Sequence, residues 1–317
     1  MTAPLINHVL STGLITSTIF DHLIARAAAA APPGVQVTCS ERPDRRAAVL
    51  HYHRPNLERR LLPRSVVTIH HDLRDDRKWL GLRYGLPRYR EASIIHCLNA
   101  MQSAVLEEHG VLHATVIPHG VDRRVFPRPA SPRQLTEGRL RLGFFSRRYA
   151  SGVKGEYLFG PLLANLDPRR VSFVLVGEGR EHEARIARAK GFEVKYWERL
   201  PYRLMGEIYA RIDALLILSA FEGGPASLLE ALGIGVPVLS TAVGMCPEFV
   251  IDGRNGLLLE GRPDRDGARI IALMDNDAKD MAALNQGAFA SAASIPSWQE
   301  IMTKWYQLYK KVSTRAI

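Results

Sequence analysis

The sequence predicts an α/β protein built from two doubly wound parallel-sheet units, and three observations point to it. Short apolar runs rich in branched residues recur along the chain, each followed by a polar or glycine-containing turn and then a helical pattern. Strands that alternate with helices pair in parallel and are covered on both faces, so they read as nearly continuous apolar runs. The runs also form two groups: LINHVLS, VQVTCS, AAVLHYH, SVVTIHH, SIIHCLN and ATVIPHG come first, then LRLGFFS, VSFVLVG, FEVKYW, ALLILS, VPVLS and GLLLE. Between them DRRVFPRPASPRQLTEGR, Asp122 to Arg139, is proline-rich and lacks apolar periodicity, which reads as an interdomain linker. A length of 317 residues suits two such domains, expected at 1–128 and 139–296.

Two elements in the second group matter most. Ala214 to Ser219 reads as a strand, and Pro225 to Leu232 as a helix opened by Gly223 and Gly224. At the end of the chain SWQEIMTKWYQLYKKV spaces Trp298, Ile301, Met302, Trp305, Leu308 and Tyr309 at i, i+3, i+4 behind Ser297. That pattern predicts a capped amphipathic helix of about four turns.

Composition narrows the function classes. With 46% hydrophobic and 23% charged residues the chain is globular. The longest small-residue run, Ala27 to Ala31, is far too short to cross a membrane, and no charge precedes Asp21, so the basic start of a secretory signal is missing. A cytoplasmic location is the resulting expectation. Cys39, Cys97 and Cys246 have neither disulfide nor zinc spacing and are expected to be buried, reduced thiols. The net charge of +10 would attract nucleic acid, anionic lipid or sugar phosphates. Its arginines are mixed with acids (RPDRR, LRDDRK) and no nucleic-acid signature accompanies them, so no nucleic-acid partner is expected and a basic enzyme face is.

The chemistry concentrates in the second group. A helix that starts beyond the carboxyl end of a parallel strand offers free backbone amides and a favourable dipole to an anion, above all phosphate. Glu222 falls in the loop before this helix and Glu230 two turns along it. Carboxylates repel phosphate but accept hydrogen bonds from sugar hydroxyls, so one glutamate for each of two sugar rings is a coherent pair; the bland alternative leaves both solvated. GFFSRRYASGVKG, Gly143 to Gly155, sets Arg147 and Lys154 in the loop after another strand, where cations would neutralise a diphosphate. Together these features predict a nucleotide-sugar pocket.

FEGGPASLLEALGIGVPVLSTAVGMCPEFVIDGRNGLLLE, Phe221 to Glu260, resembles the donor-binding signature of retaining family 4 glycosyltransferases of GT-B fold. VLVGEGRE from Val174, IPHGVD from Ile117 to Asp122 and the terminal SWQEIMTKWYQLY are similar to that family too. The resemblance implies two Rossmann-like domains, with helix 297–317 returning to the first. It implies that Glu222 contacts the transferred sugar, Glu230 holds the ribose, and Arg147 with Lys154 binds the diphosphate, Arg148 being a rival for Arg147. It further implies donor contacts at Gly13, Gly223, Gly224, Leu228 and Leu229, catalytic roles for His70, Arg147, Lys154 and Glu222, and no bound metal or other cofactor.

The first group carries His51, His53, His70 and His71 at the ends of successive strands, the edge where α/β sheets bind ligands. A lone strand-end histidine is usually structural; of the four, His70 is expected to position the donor or its reacting centre. Against the family it resembles, IPHGVD comes early, at Ile117, which implies a trimmed acceptor side, suited to a glycan or lipid-linked acceptor in polysaccharide or glycolipid synthesis; the basic surplus suits peripheral attachment to an anionic membrane. Two other readings remain open at this point: a nucleotide-sugar 2-epimerase on the same scaffold, and a non-catalytic module that binds anionic surfaces.

Overall fold

A computed structural model describes residues 3–10, 19–76, 80–134 and 139–313. Two compact units divide the chain: Met1–Gly120 with Pro296–Ile317, and Val121–Ile295. The boundary therefore lies at Gly120, upstream of the expected 128. The segment expected to be a linker, Asp122 to Arg139, is core of the second unit in its first part, because Phe126 is buried there against Tyr209.

In the first unit the strands are β1 (Leu5–Val9), β2 (Gln36–Ser40), β3 (Val49–Tyr52), β4 (Ser65–Ile69), β5 (Ile94–Cys97) and β6 (Ala114–Val116). Helices α1 (Ile19–Ala29), α2 (Leu82–Glu91) and α3 (Ala100–Glu108) connect them. All six pair in parallel in the order β2-β1-β3-β4-β5-β6. Neighbouring residues along a strand face opposite ways. Val49 and Val66 accordingly pack with Trp305 and Tyr309, while Leu50 and Val67 pack with Tyr89 and Leu106.

The second unit contains β7 (Leu140–Phe145), β8 (Val171–Val176), β9 (Glu193–Trp197), β10 (Ala214–Ile217), β11 (Val238–Thr241) and β12 (Gly256–Leu259). Its helices are α4 (Glu156–Leu163), α5 (Glu181–Ala189), α6 (Met205–Tyr209), α7 (Ala226–Gly233), α8 (Cys246–Phe249), α9 (Pro263–Ala272) and α10 (Lys279–Ala292). The order β12-β11-β10-β7-β8-β9 is again wholly parallel. Chain direction across the sheet reverses between β7 and β10, the switch point beyond whose carboxyl ends a doubly wound sheet leaves a crevice.

All twelve expected strands are present. The terminal helix α11 (Trp298–Val312) starts with the expected Ser297 cap, which is reciprocal: Ser297 Oγ accepts the Glu300 N–H, and the Glu300 carboxylate accepts the Ser297 N–H at 2.6 Å. Two donors at the start of the helix are satisfied at once. Among the described residues no helix is long and apolar enough to cross a membrane. Cys97 and Cys246 are buried free thiols as expected, whereas Cys39, on the sheet-edge strand β2, is exposed.

Candidate functional site

An open cleft of about 340 Å³ lies at the β7–β10 switch point, and Arg147, Lys154, Glu222 and Glu230 all line it. Residues up to 83 positions apart in sequence thus meet because β7 and β10 are neighbours and release their loops on the same edge.

Glu222, in the loop after β10, is ion-paired to Lys154 and accepts the Ser219 hydroxyl at 2.9 Å. Gly244 supports this loop from behind: its φ is +53°, and a Cβ there would lie 2.9 Å from the Glu222 carbonyl oxygen. Lys154 precedes Gly155, whose φ of +88° and close approach to Leu218 leave no room for a side chain. Gly155 then caps α4.

The loop that carries Arg147 and Lys154 is held from beneath by residues the sequence reading did not single out. Glu156 accepts the Tyr149 and Lys154 N–H groups, each at 2.8 Å. Arg180 is fully buried over the Phe144 ring; its Nε donates to the Ser146 carbonyl at 2.8 Å and its Nη2 to Ser146 Oγ at 2.7 Å and the Lys154 carbonyl at 3.3 Å. Glu156 and Glu183 pair with it at 3.3 and 3.4 Å. Burial pulls the Arg180 pKa down and the two acids oppose that. A buried cation needs such partners, since its desolvation costs several kcal/mol when uncompensated, on the order of the whole stability of a domain.

The two adjacent arginines have different partners. Arg148 turns to the buried Glu183 at 3.0 Å, whereas Arg147 lines the cleft. Arg147 also approaches Glu178 at 3.7 Å and lies over the Tyr149 ring.

Glu230 projects from α7 to the cleft and receives two phenols: Tyr202 Oη donates to Oε1 at 3.0 Å and Tyr209 Oη to Oε2 at 2.9 Å. Burial, then the negative Glu230, pushes the Tyr209 hydroxyl well above its ordinary pKa and keeps it a donor. Neither tyrosine has a sequence signal, since each pairs with Glu230 across more than twenty residues. No side chain caps α7, whose first turn contributes Ala226 and Ser227 to the cleft. Its uncapped amides and dipole suit an anion.

Other expected residues fall elsewhere. Leu228 and Leu229 are fully buried in the second unit's core, so their side chains cannot meet a ligand. Gly223 is buried and Gly224 half-buried in the loop before α7, and neither takes the positive φ that requires glycine. Gly13 lies outside the described residues. Two Asp-x-Asp triplets, Asp264–Asp266 and Asp275–Asp277, lie away from the cleft; Asp266 accepts the Glu260 N–H and Asp275 pairs with Arg170.

His70 belongs to the first unit, half-buried at the end of β4. It joins a network larger than the sequence suggested, which adds His8 on β1 and His96 on β5. His51 bonds Tyr309 Oη at 2.8 Å and Thr68 Oγ1 at 2.6 Å; Thr68 bonds His96 at 2.8 Å, and His96 Nε2 meets the Ile117 carbonyl at 2.7 Å. A carbonyl only accepts, so His96 carries its proton on Nε2. It follows that Thr68 donates to His96 Nδ1, His51 donates through Nε2 to Thr68, and Tyr309 donates to His51 Nδ1. Every polar atom of that line is satisfied, and it ties α11 to the sheet. Burial depresses all these rings, His8 to about 3 and His96 to about 4.

Residues 139–276 match the family model described as glycosyl transferases group 1. Among curated proteins, a glycogen synthase of Mycobacterium tuberculosis is 27% identical over 227 residues, 68% of this chain and 53% of that protein. A D-inositol 3-phosphate glycosyltransferase of Corynebacterium jeikeium is 28% identical over 220 residues, 62% of this chain and 51% of that protein. The chain spans about half the length of these curated relatives. Among solved structures, Anabaena HepE in complex with UDP and glucose matches 97% of this chain and 100% of its own with a TM-score of 0.73 at 17% identity. Sucrose-phosphate synthase of Thermosynechococcus elongatus matches 97% of this chain and 98% of its own with a TM-score of 0.76 at 15% identity. At these identities the likeness carries the fold, that of GT-B glycosyltransferases.

Proposed function

We propose, for a chain whose residues 139–276 belong to the glycosyl transferases group 1 family, that the second unit binds a nucleotide diphosphate sugar in the β7–β10 cleft and that the protein transfers the sugar to an acceptor hydroxyl. The observation that carries the proposal is the convergence of two cations, two carboxylates and an uncapped helix start on one cleft. Arg147, Lys154 and the first amides of α7 would take the diphosphate and stabilise the charge that grows on it as the glycosidic bond breaks. Glu222 would accept from hydroxyls of the transferred sugar. Its ion pair with Lys154 is consistent with this division, because the sugar and the phosphate attached to it are neighbours in the donor. Glu230, fixed by Tyr202 and Tyr209, would accept from the ribose hydroxyls.

Further parts of the proposal rest on the sequence resemblance: retention of configuration, chemistry without a metal or other cofactor, His70 acting near the reacting centre, and a glycan or lipid-linked acceptor in polysaccharide or glycolipid synthesis at an anionic membrane surface. The solved relatives bound to UDP make UDP-sugars the first donors to try.

Thermal-shift screening with UDP-, GDP-, ADP- and TDP-sugars tests the proposal. A ligand of the folded state raises Tm by mass action, and at least one of these donors is expected to do so. No shift with any donor, together with no nucleoside diphosphate released in the presence of acceptors, contradicts it.

A further inference from the structure

Beside the satisfied line through His51 runs a second imidazole chain. His8 Nδ1 meets His53 Nε2 at 2.9 Å, and His53 Nδ1 meets His70 Nε2 at 2.9 Å. Among the described residues, His8 Nε2 is buried with no partner. A neutral imidazole has one N–H and one lone pair, so the protons of the three rings can order in only two ways. In one, His8 and His53 each donate through Nδ1, and the inner end of the chain is a bare lone pair on His8 Nε2. In the other, every bond reverses and the inner end is a buried N–H with no acceptor. An orphaned buried N–H is the rarer and costlier of the two.

We propose that His8 and His53 are positioning residues that fix His70 as the Nδ1–H tautomer, so that it presents a neutral hydrogen-bond donor at the end of β4 to an oxygen acceptor on a ligand. Burial above all keeps all three rings uncharged; in addition Arg54 stands near His53 and His70, His96 and His119 add like charge if protonated, and the Phe20 ring packs edge-on against His70 at 4.9 Å. A neutral Nδ1–H donor cannot act as a base at that atom. His70 therefore recognises a hydroxyl, phosphate or carbonyl oxygen and does not take a proton from it. The alternative of a metal centre at His8, His51 and His53 is disfavoured by ring geometry. His53 is stacked on His8 at 11° and on His51 at 22°, which does not aim three lone pairs at one point, and both nitrogens of His51 are already bonded.

The tautomer assignment stands apart from the donor reading; its use in sugar transfer rests on that reading. Long-range ¹H–¹⁵N correlation spectra of the full chain with labelled histidine at pH 7 separate the two. The expected pattern is Nδ1–H for His8, His53 and His70, and Nε2–H for His51 and His96. In His53→Phe, which keeps a ring but no nitrogen, His70 is expected to move towards the Nε2–H form that free imidazole side chains favour, and transfer to lose at least tenfold in kcat with nucleotide affinity unchanged. An Nε2–H or charged His70 in the wild type, or Zn²⁺ at equimolar concentration shifting His8, His51 and His53 together, overturns the assignment. An unchanged His70 tautomer in His53→Phe, or in His8→Phe should the first variant not fold, overturns the positioning role. Altered His70 signals with unaltered transfer overturn the link to sugar transfer alone.

Discussion

The two units each place ionisable side chains at the carboxyl edge of a parallel sheet, and they treat the charge in opposite ways. Beyond β7 and β10 the groups are paired and face open space: Lys154 with Glu222, and Arg147 at the rim. At the ends of β1, β3 and β4 the groups are imidazoles withdrawn from water, His8, His53 and His70 bonded in a chain and His51 bonded to Thr68. One edge is built to meet charge, the other to present neutral donors and acceptors. The difference follows from residue type, since a guanidinium or carboxylate can be kept only by pairing or solvation, whereas an imidazole can be buried by shedding its proton.

Acid should separate the units most strongly. The folded pKa values of His8, His96 and His119, about 3, 4 and 4, lie below the ordinary value of 6.5. The unfolded chain therefore binds more protons below pH 6.5, and stability falls from there towards pH 4 and below, each ring costing up to about 1.4 kcal/mol per pH unit. Denaturant melts from pH 7 to 4 should show that loss, and His96→Gln should flatten the slope.

Next in size is Arg180→Met in the second unit. It leaves Glu156 buried without its cation and Glu183 with Arg148 alone, and should cost about 3–5 kcal/mol, read as a lower denaturation midpoint. Donor KM should rise as well, because the Ser146–Lys154 loop loses its anchor. A variant with wild-type stability and KM would break the account of that loop.

Lys154→Ala should lower kcat/KM by about 10²–10³-fold, the scale for removing one group that stabilises charge in a transition state. Glu222→Ala in the same cleft should lower kcat more than it weakens nucleoside diphosphate binding. The smallest effect is expected for Tyr209→Phe, which removes one hydrogen bond to a carboxylate. At about 1.5–3 kcal/mol for such a bond, nucleotide Kd should weaken about 10- to 150-fold, with kcat nearly unchanged.

The sequence was most informative where chemistry is local. The alternation of apolar runs located the strands, and one contiguous stretch brought Glu222 and Glu230 to notice. It was least informative about support. Nothing along the chain marks Arg180 or Glu156 as supports, because only the pairing of β7 with β8 brings the loop after β8 against the loop after β7. Tyr202 and Tyr209 fall in a short helical segment with no motif. His8 and His96 lie within strands with no motif around them, and only pairing in register, His8 with His51 and Thr68 with His96, makes them a network. Leu228 and Leu229, donor contacts on the strength of the resemblance, place their side chains in the core, which no feature of the motif shows.

Calorimetric titration of a UDP-sugar into the wild type and into Lys154→Ala/Glu230→Ala tests the central claim most directly. The account predicts one site per chain in the wild type and affinity reduced at least a hundredfold in the double variant, with Tm in the absence of donor changed by only a few degrees. Equal binding by a folded double variant would contradict it.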